Sequence, residues 1–309
     1  SDNPALLSAI ENGVVMPIYI FEDQVGEDRK IGSASKWWLH HSLNSLNNSL
    51  ANKLNFYRGD AKKILENLVE EFEIAGIFWN RCYEPLRIQK DGEIKAFFKQ
   101  KNIVVKSFNA SLLWEPHDVL KSDQTPYKVF TPYYRKGCLQ KTPPRKPLPK
   151  AENFSIFHDK NNKIKLENLQ LLPTIKWDQE MQKYWQIGED FADKKMQNSV
   201  KNNPQNYKDG RNFPSQNNVS RLSPHLHFGE ISPHQIWHFA LENYQEKKGE
   251  LNLDHFLSEL GWREFSYYLL FHFPHLPTKN FQPRFDNFVW QKNQKFLKNK
   301  KIIKIIKKE

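Results

Sequence analysis

VVMPIYIF, at residues 14–21, is a short apolar run typical of a buried β-strand, and GIFW (76–79) and VVKSF (104–108) repeat the pattern. Between these runs, apolar residues recur at helical spacing over 33–54 and 60–72, and a third helix is predicted over 91–101. Strands that alternate with helices favour a doubly wound parallel sheet. The sequence therefore predicts an α/β fold for the first part of the chain.

The chain opens on SDNPAL, which predicts a helix start with Asn3 as the cap and Pro4 in the first turn. A helix is an unusual opening for a doubly wound sheet. We therefore expect the first strand of that sheet to be missing from this chain.

The second half is predicted to be all-α and to follow a proline-rich connector. KTPPRKPLPK, at 141–150, carries four prolines and four basic residues, which is typical of an extended linker. Helices are predicted over 177–196, 233–244 and 253–273. The expected segments are an α/β domain at 1–135, a linker at 136–173, a partial helical domain at 174–290 and an aberrant lysine-rich tail at 291–309.

Composition narrows the class of protein. Two cysteines in 309 residues exclude a disulfide framework and fit a reducing cytoplasm. No apolar run approaches the ~20 residues of a membrane span. The net charge is +11, but the tail alone carries eight lysines and one glutamate, so charge is a weak argument for nucleic-acid binding. We expect a cytoplasmic monomer with no membrane partner.

The stretch YKDGRNFPSQNNVSRLSPHLHFGEISPHQ, at 207–235, predicts two helix starts, with Ser223 and Ser232 each a cap before a proline. Backbone amides exposed over 219–223, with Arg221 beside them, would suit a pyrophosphate. Two ordinary capped helices would give the same pattern, so both interpretations stay open. The histidines of this region lack an acidic or cysteine partner at ligand spacing, and we expect core or cap residues rather than a metal site.

FLSELGWREF, at 256–265, places Glu259, Trp262 and Arg263 on one face of a predicted helix. A carboxylate, an indole and a guanidinium on one face offer a base-edge acceptor, a stacking platform and a phosphate contact. A buried ion pair beside a core tryptophan is the competing interpretation.

Five motifs together resemble, in order and spacing, the DNA photolyase/cryptochrome family: SDNPAL, IGSASKWWLHHSL, TPYKVFTPYY, VSRLSPHLHFGEISP and ELGWREFSYYLLFHFP. The likeness runs from residue 1 to about residue 297 and is greatest for bacterial photolyases that repair cyclobutane pyrimidine dimers. It implies an α/β antenna domain joined to a helical FAD domain. It also implies damaged DNA as the partner, and light-driven electron transfer from reduced FAD to a dimer flipped out of the duplex.

The resemblance further implies roles for single residues. The residues at FAD-binding positions of the family are Tyr207, Val219, Ser220, Arg221, Leu222, Ser223, Phe256, Glu259 and Arg263. The residues at DNA-contacting positions are Arg211, Glu259 and Trp262, with Trp262 as the platform that stacks on the lesion. Trp290 matches the outermost tryptophan of the electron relay that reduces the flavin. Two positions depart from the family: Val219 stands where threonine is usual, and Phe256 where tryptophan is common.

The antenna cofactor is less well specified by the resemblance. Arg87 follows Tyr83 and Glu84 at a position where one folate-binding branch of the family carries a glutamate. A folate-type antenna in a different pose and the absence of an antenna therefore both stay open.

The resemblance ends before KKIIKIIKKE, at 300–309, where relatives continue with the rest of the flavin pocket. We therefore expect this chain alone to bind FAD poorly and to repair nothing. Three hypotheses follow: an incomplete photolyase, a cryptochrome-like blue-light receptor, or a decayed remnant without activity. Glu259 and Trp262 favour repair over signalling, because receptors can relax their contacts with a lesion.

Overall fold

The computed structural model describes residues 1–22, 30–201, 207–244 and 251–289. In its first half, short parallel strands alternate with helices, and this confirms the predicted α/β fold. The strands are β1 (Ile18–Phe21), β2 (Asn55–Arg58), β3 (Gly76–Asn80) and β4 (Val104–Phe108). The helices around them are α1 (Pro4–Glu11), α2 (Ser33–Ser49), α3 (Ala61–Glu71) and α4 (Pro85–Gln100). Asn3 caps α1 as predicted, since its side chain accepts a hydrogen bond from the Leu6 amide at 3.0 Å.

The strands pair two by two. β1 runs parallel to β2, and β3 runs parallel to β4. Within the described residues, no ladder of hydrogen bonds joins the β1–β2 pair to the β3–β4 pair. Ile20 of β1 and Trp79 of β3 nevertheless pack against the same apolar cluster, centred on the fully buried Phe98 of α4. The two strand pairs therefore share one core without forming one continuous sheet.

The second half is helical, as predicted. A short helix, α5 (Phe130–Pro132), continues into a π-helical turn at Tyr133–Cys138. The later helices are α6 (Gln179–Tyr184), α7 (Glu189–Lys201), α8 (Tyr207–Gly210), α9 (Ser223–His227), α10 (Pro233–Asn243) and α11 (Asn252–His272). The 21-residue α11 is the longest of these helices, and it packs against α8, α10 and the π-helical turn. No helix among the described residues has both the length and the apolar character needed to cross a membrane.

The chain passes between the two halves more than once. Leu113, Trp114 and Val119 pack in the helical core with the π-helical turn, although they follow β4 directly. A 3₁₀ turn at Leu166–Leu169 packs back in a core of the α/β half, against residues such as Phe21 and Leu43. The proposed boundaries at 135 and 173 stay predictions.

Two buried connections join the halves. The Trp38 indole of α2 donates to Glu230 Oε1 at 3.0 Å, and Glu230 Oε2 lies 2.5 Å from His225 Nδ1. On the other side, the Leu113 amide donates to Glu264 Oε2 of α11 at 2.7 Å. The first contact links α2 to the segment between α9 and α10, and the second links the segment after β4 to α11.

One helix prediction was wrong. The expected helix over 177–196 is broken into α6 and α7: α6 ends at Tyr184 because Trp185 is extended, and Gly188, just before α7, has a φ of +120° that a right-handed helix does not admit. A Cβ at this glycine would lie 2.4 Å from Ser45 Oγ, so the close approach of α2 also requires glycine here.

Candidate cofactor and DNA site

The exposed face of α11 carries two of the predicted site residues. Glu259 and Trp262 both face solvent, and the Trp262 side chain is 47% exposed. The opposite face of α11 is buried through Phe256, Leu260 and Phe265. An exposed tryptophan on a well-packed helix is a rigid platform for a flat ring.

Glu259 forms an ion pair with Arg211, which follows α8. Both side chains are partly exposed. The structure thus brings all three predicted DNA-contacting residues, Arg211, Glu259 and Trp262, to one surface. Because Arg211 and Glu259 are paired there, their charges offset each other at this surface, while both side chains stay partly exposed.

Arg263 does not join this surface. Its guanidinium turns toward the α/β half, where Nη1 donates to the Ser111 carbonyl at 2.6 Å and to Glu264 Oε1 at 3.2 Å. It also lies 5.0 Å from the ring centre of Tyr267. The prediction that Arg263 shares a face with Glu259 and Trp262 was therefore wrong for the charged group, because a buried carboxylate and a carbonyl draw it between the halves.

The segment Val219–Arg221 lines a cationic pocket of about 600 Å³. Lys194, Lys195 and Ser199 of α7 form the facing wall. Burial, and after it the charge of Arg221, lower the pKa of Lys195. Arg221 has a φ of +53°, a backbone conformation in which residues other than glycine are uncommon. Positive charge and hydroxyl donors in one pocket are suited to a phosphate group.

Ser223 does not cap α9, contrary to the prediction. It is the first residue of α9, Leu222 occupies the cap position in a helical conformation, and no side chain caps this end. Leu222 itself is buried in the helical core. The prediction for Ser232 is confirmed: its hydroxyl accepts from the Gln235 amide at 3.0 Å, and the Gln235 side chain returns to the Ser232 amide.

Tyr207 and Phe256 lie together in the core rather than in the cationic pocket. Their ring centres are 5.3 Å apart in an edge-to-face contact, and Tyr244 packs against Phe256 from another side. Burial raises the pKa of Tyr207. The predicted FAD-binding residues therefore divide mainly among the cationic pocket, this aromatic cluster and α11.

Sequence reasoning missed Phe130. Its ring stacks on the inner face of Trp262, with ring centres 3.7 Å apart and planes at 12°. Phe130 belongs to the quoted motif TPYKVFTPYY, but nothing in the sequence relates it to a tryptophan on a distant helix. Trp290 lies outside the described residues, as does the lysine-rich tail.

A second cavity, of about 910 Å³, lies where the carboxyl end of β1 meets the start of α4 and residues from the helical half. Its walls include Tyr19, Glu22 and Arg87. The Glu22 carboxylate lies 3.1 Å from Arg87 Nη1 and 3.1 Å from Lys90 Nζ. Ligands of parallel α/β folds bind at the carboxyl ends of strands, so this cavity is a candidate second cofactor site.

Two family models match the chain. Residues 1–152 match the family described as DNA photolyase, and residues 256–302 match the FAD binding domain of DNA photolyase. A deoxyribodipyrimidine photo-lyase of Agrobacterium fabrum is 38% identical over 96% of this chain and 62% of its own length. The chain belongs to the DNA photolyase family.

Both branches of the DNA photolyase family are represented among the relatives. Cryptochrome-1 of Arabidopsis thaliana is 27% identical over 96% of this chain and 45% of its own length. The crystal structure of a class III photolyase from Agrobacterium tumefaciens superimposes with a TM-score of 0.88 at 36% identity, over 96% of this chain and 62% of that one. The chain thus spans about three fifths of the length of the photolyases that it matches.

Proposed function

We propose that this protein acts in light-driven repair of cyclobutane pyrimidine dimers in DNA, as a deoxyribodipyrimidine photolyase. The observation that carries the proposal is Trp262, a rigid and exposed indole beside Arg211 and Glu259. A flipped dimer presents flat rings and base edges, and this surface offers a stacking partner and hydrogen-bonding groups for them. The family match and the photolyase relative at 38% identity support the same function.

Each residue of the surface has a distinct part in binding. Trp262 stacks on the lesion, so it contributes only when a base has left the duplex. Arg211 contacts a phosphate of the DNA backbone, which is present in any sequence. Glu259 accepts a hydrogen bond from a base edge or from the cofactor once Arg211 has moved to the phosphate.

FAD is the cofactor that the FAD-binding family match supports. When bound, its reduced form supplies the electron that splits the dimer. The cationic pocket fits the phosphates of such a dinucleotide, with Ser220, Arg221 and Lys195 as the residues that hold them. We assign Phe256 and Tyr207 to the wall that supports this phosphate segment from the core. Trp290 is proposed as the outer electron relay.

A folate-type antenna is proposed for the cavity at the carboxyl end of β1. Its volume of about 910 Å³ lies within the usual range for organic ligands, and Lys30, Lys36 and Arg87 supply positive charge for an anionic tail. Adding methenyltetrahydrofolate to the purified protein tests this, because a bound antenna would give an absorbance band that co-elutes with the protein. The protein itself is proposed to be a cytoplasmic monomer, and its two unpaired cysteines fit a reducing compartment.

The lesion platform is tested with Trp262→Ala on two oligonucleotides, one with a single thymine dimer and one undamaged. We expect the variant to bind the dimer about 5- to 150-fold more weakly, the equivalent of about 1–3 kcal/mol for one lost stacked base. Binding to undamaged DNA should change little, because phosphate contacts dominate there. Trp177→Ala is the matched control, since the Trp177 side chain is 40% exposed and lies outside the proposed surface.

Repair is tested on the protein supplied with FAD, a reductant and blue light. Disappearance of the dimer, measured by chromatography of the digested oligonucleotide, supports the photolyase assignment and would overturn the expectation that this chain alone repairs nothing. Bound flavin without dimer loss would instead favour a cryptochrome-like receptor. If Trp262→Ala weakened binding to damaged and to undamaged DNA equally, the proposed stacking role of Trp262 would be contradicted.

A further inference from the structure

Trp262 is the outer ring of a column of three nearly parallel aromatic side chains. Phe130 lies against its inner face, with ring centres 3.7 Å apart and planes at 12°. Tyr134 continues the column behind Phe130, at 5.5 Å and 10°. Only the outer face of Trp262 remains open to a ligand, which agrees with an exposure of 47%.

The column is held by α11 and the π-helical turn together. Tyr134 approaches α11 at Gly261, where a Cβ would lie only 2.6 Å from a Tyr134 ring carbon. Arg135 makes a two-pronged ion pair with Asp254 near the start of α11. Phe265 meets the edges of both Phe130 and Trp262, at 5.9 and 6.1 Å. The ring of Phe130 is therefore fixed by residues on two elements, and it in turn limits the orientation of Trp262.

We propose that Phe130 is a positioning residue for lesion recognition, which holds the Trp262 indole in the plane that a flipped base must meet. The inference rests on the proposed function. An exposed tryptophan without a partner on its inner face would populate several rotamers, and binding would have to order it. With Phe130 in place, that ordering is already present in the free protein, and water is excluded from the inner face.

Three substitutions at position 130 should differ in how far they lower the preference for dimer DNA. Phe130→Ala should lower the preference for dimer DNA over undamaged DNA by about three- to tenfold, which corresponds to the cost of ordering one side chain on binding. Phe130→Leu keeps most of the volume without a flat ring and should show a smaller loss of the same kind. Phe130→Tyr keeps the ring and should retain the preference. Because Phe130 does not touch DNA in this proposal, affinity for undamaged DNA should stay unchanged throughout.

Phe239→Ala is the matched control, since Phe239 is a partly buried phenylalanine on the same helical core without contact to Trp262. It should leave the preference unchanged. A double-mutant cycle with Trp262→Ala separates positioning from general packing. If Phe130 acts through Trp262, adding Phe130→Ala to Trp262→Ala should cause no further loss of preference.

The outcomes are distinguishable. If the wild-type protein shows no preference for dimer DNA, the proposed function fails and this inference fails with it. If the wild type discriminates but the two substitutions are additive, or Phe130→Leu weakens both DNAs equally, only the positioning role of Phe130 is overturned. Retained preference in Phe130→Ala would overturn it as well. Should Phe130→Ala not fold, as judged by thermal unfolding, the comparison of Phe130→Leu with Phe130→Tyr decides.

Discussion

Glu264 is a buried acid at the junction of the two halves. Its carboxylate accepts from the Leu113 amide at 2.7 Å and lies 3.2 Å from Arg263 Nη1. Burial raises the pKa of Glu264 to about 7, and Arg263 and the backbone amides only partly oppose this effect. The native protein therefore binds a proton here at pH values where the unfolded chain, with a pKa near 4.5, has lost it. This contribution to stability is present at low pH and is lost as the pH rises through 7.

Glu264→Gln should remove that pH dependence. Between pH 5 and 8, the free energy of unfolding of the variant should gain about 3 kcal/mol relative to the wild type, from about 1.4 kcal/mol per unit of pKa difference. Urea unfolding at the two pH values measures the change. Glu93→Gln, at an exposed position in α4, is the control and should follow the wild type. Parallel curves for Glu264→Gln and the wild type would contradict the raised pKa.

Arg211 should contribute to binding of any DNA. Replacing it by glutamine removes one phosphate contact, so the slope of log affinity against log salt should become shallower by about one. Binding to damaged and to undamaged oligonucleotides should weaken alike, in contrast to the effect of Trp262→Ala. Arg58→Gln, in β2 of the α/β half, is a control that should leave the slope unchanged. A loss confined to dimer DNA would instead place Arg211 at the lesion.

For these residues, the sequence predicts which side chains lie on the exposed face of a helix, but not which contacts the buried groups make. Trp262 and Glu259 could be predicted because helical spacing alone puts them on one face. Arg263 has the same spacing, but its long side chain follows a carbonyl at Ser111 that only the tertiary fold brings near. Phe130 could not be related to Trp262 for the same reason.

Gly261 is the residue of α11 against which the ring of Tyr134, the innermost of the aromatic column, packs. A Cβ there would lie 2.6 Å from Tyr134, in a well-packed core. Gly261→Ala should therefore destabilise the protein by about 1–3 kcal/mol, because overpacking outweighs the roughly 1 kcal/mol that alanine gains over glycine in a helix. Thermal unfolding measures the change.

Gly92 provides the matched substitution within α4. A Cβ at Gly92 would meet nothing within 4 Å. Gly92→Ala should then stabilise the protein by up to about 1 kcal/mol, through helix propensity alone. If Gly261→Ala were equally stabilising, the tight approach of Tyr134 to α11 would be refuted.

Helices could be predicted from the sequence where their apolar pattern repeats over several turns. α10 and α11 begin and end within about one residue of the sequence prediction, since each repeats its apolar face over several turns. β2, with the sequence NFYR, was missed because four residues with polar ends carry too little alternation. The break between α6 and α7 was missed because nothing in the sequence reports the extended Trp185 or the approach of Ser45 to Gly188.

The N-terminal residues contact both the helical half and the proline-rich connector. The Ser1 amino group pairs with Glu189 of α7 at 2.8 Å. Asp2 Oδ1, which is fully buried, accepts from Arg145 Nη1 at 2.6 Å and from the Leu148 amide at 2.8 Å. Arg145 belongs to the proline-rich connector. One carboxylate thus joins the start of the chain to the connector beside the helical half.

Asp2→Asn tests whether this junction stabilises the whole fold. Burial opposes ionisation of Asp2, but Arg145, the Leu148 amide and Ser232 together outweigh it and hold the pKa below its ordinary value of 3.8. The ionised form therefore stabilises the native state above pH 3.8, and this contribution disappears as the pH falls through the lowered pKa. At pH 7 we expect the variant to lose about 1–3 kcal/mol of unfolding free energy, since the partly exposed Arg145 and the Leu148 amide lose the charge of their buried acceptor.

The measurement is urea unfolding of the wild type and Asp2→Asn at pH 7 and at pH 3. The difference between them should shrink at pH 3, because the carboxyl of the unfolded chain, with a pKa of 3.8, is by then largely protonated. Glu66→Gln is the control, because Glu66 pairs with Lys101 at 2.7 Å on the exposed surface, where such pairs contribute less than about 1 kcal/mol. A cooperative transition that shifts as one for both halves would show that Asp2 acts on the whole molecule. Loss of the α/β signal alone would confine its effect to the first half, and an unchanged midpoint would contradict any stabilising role.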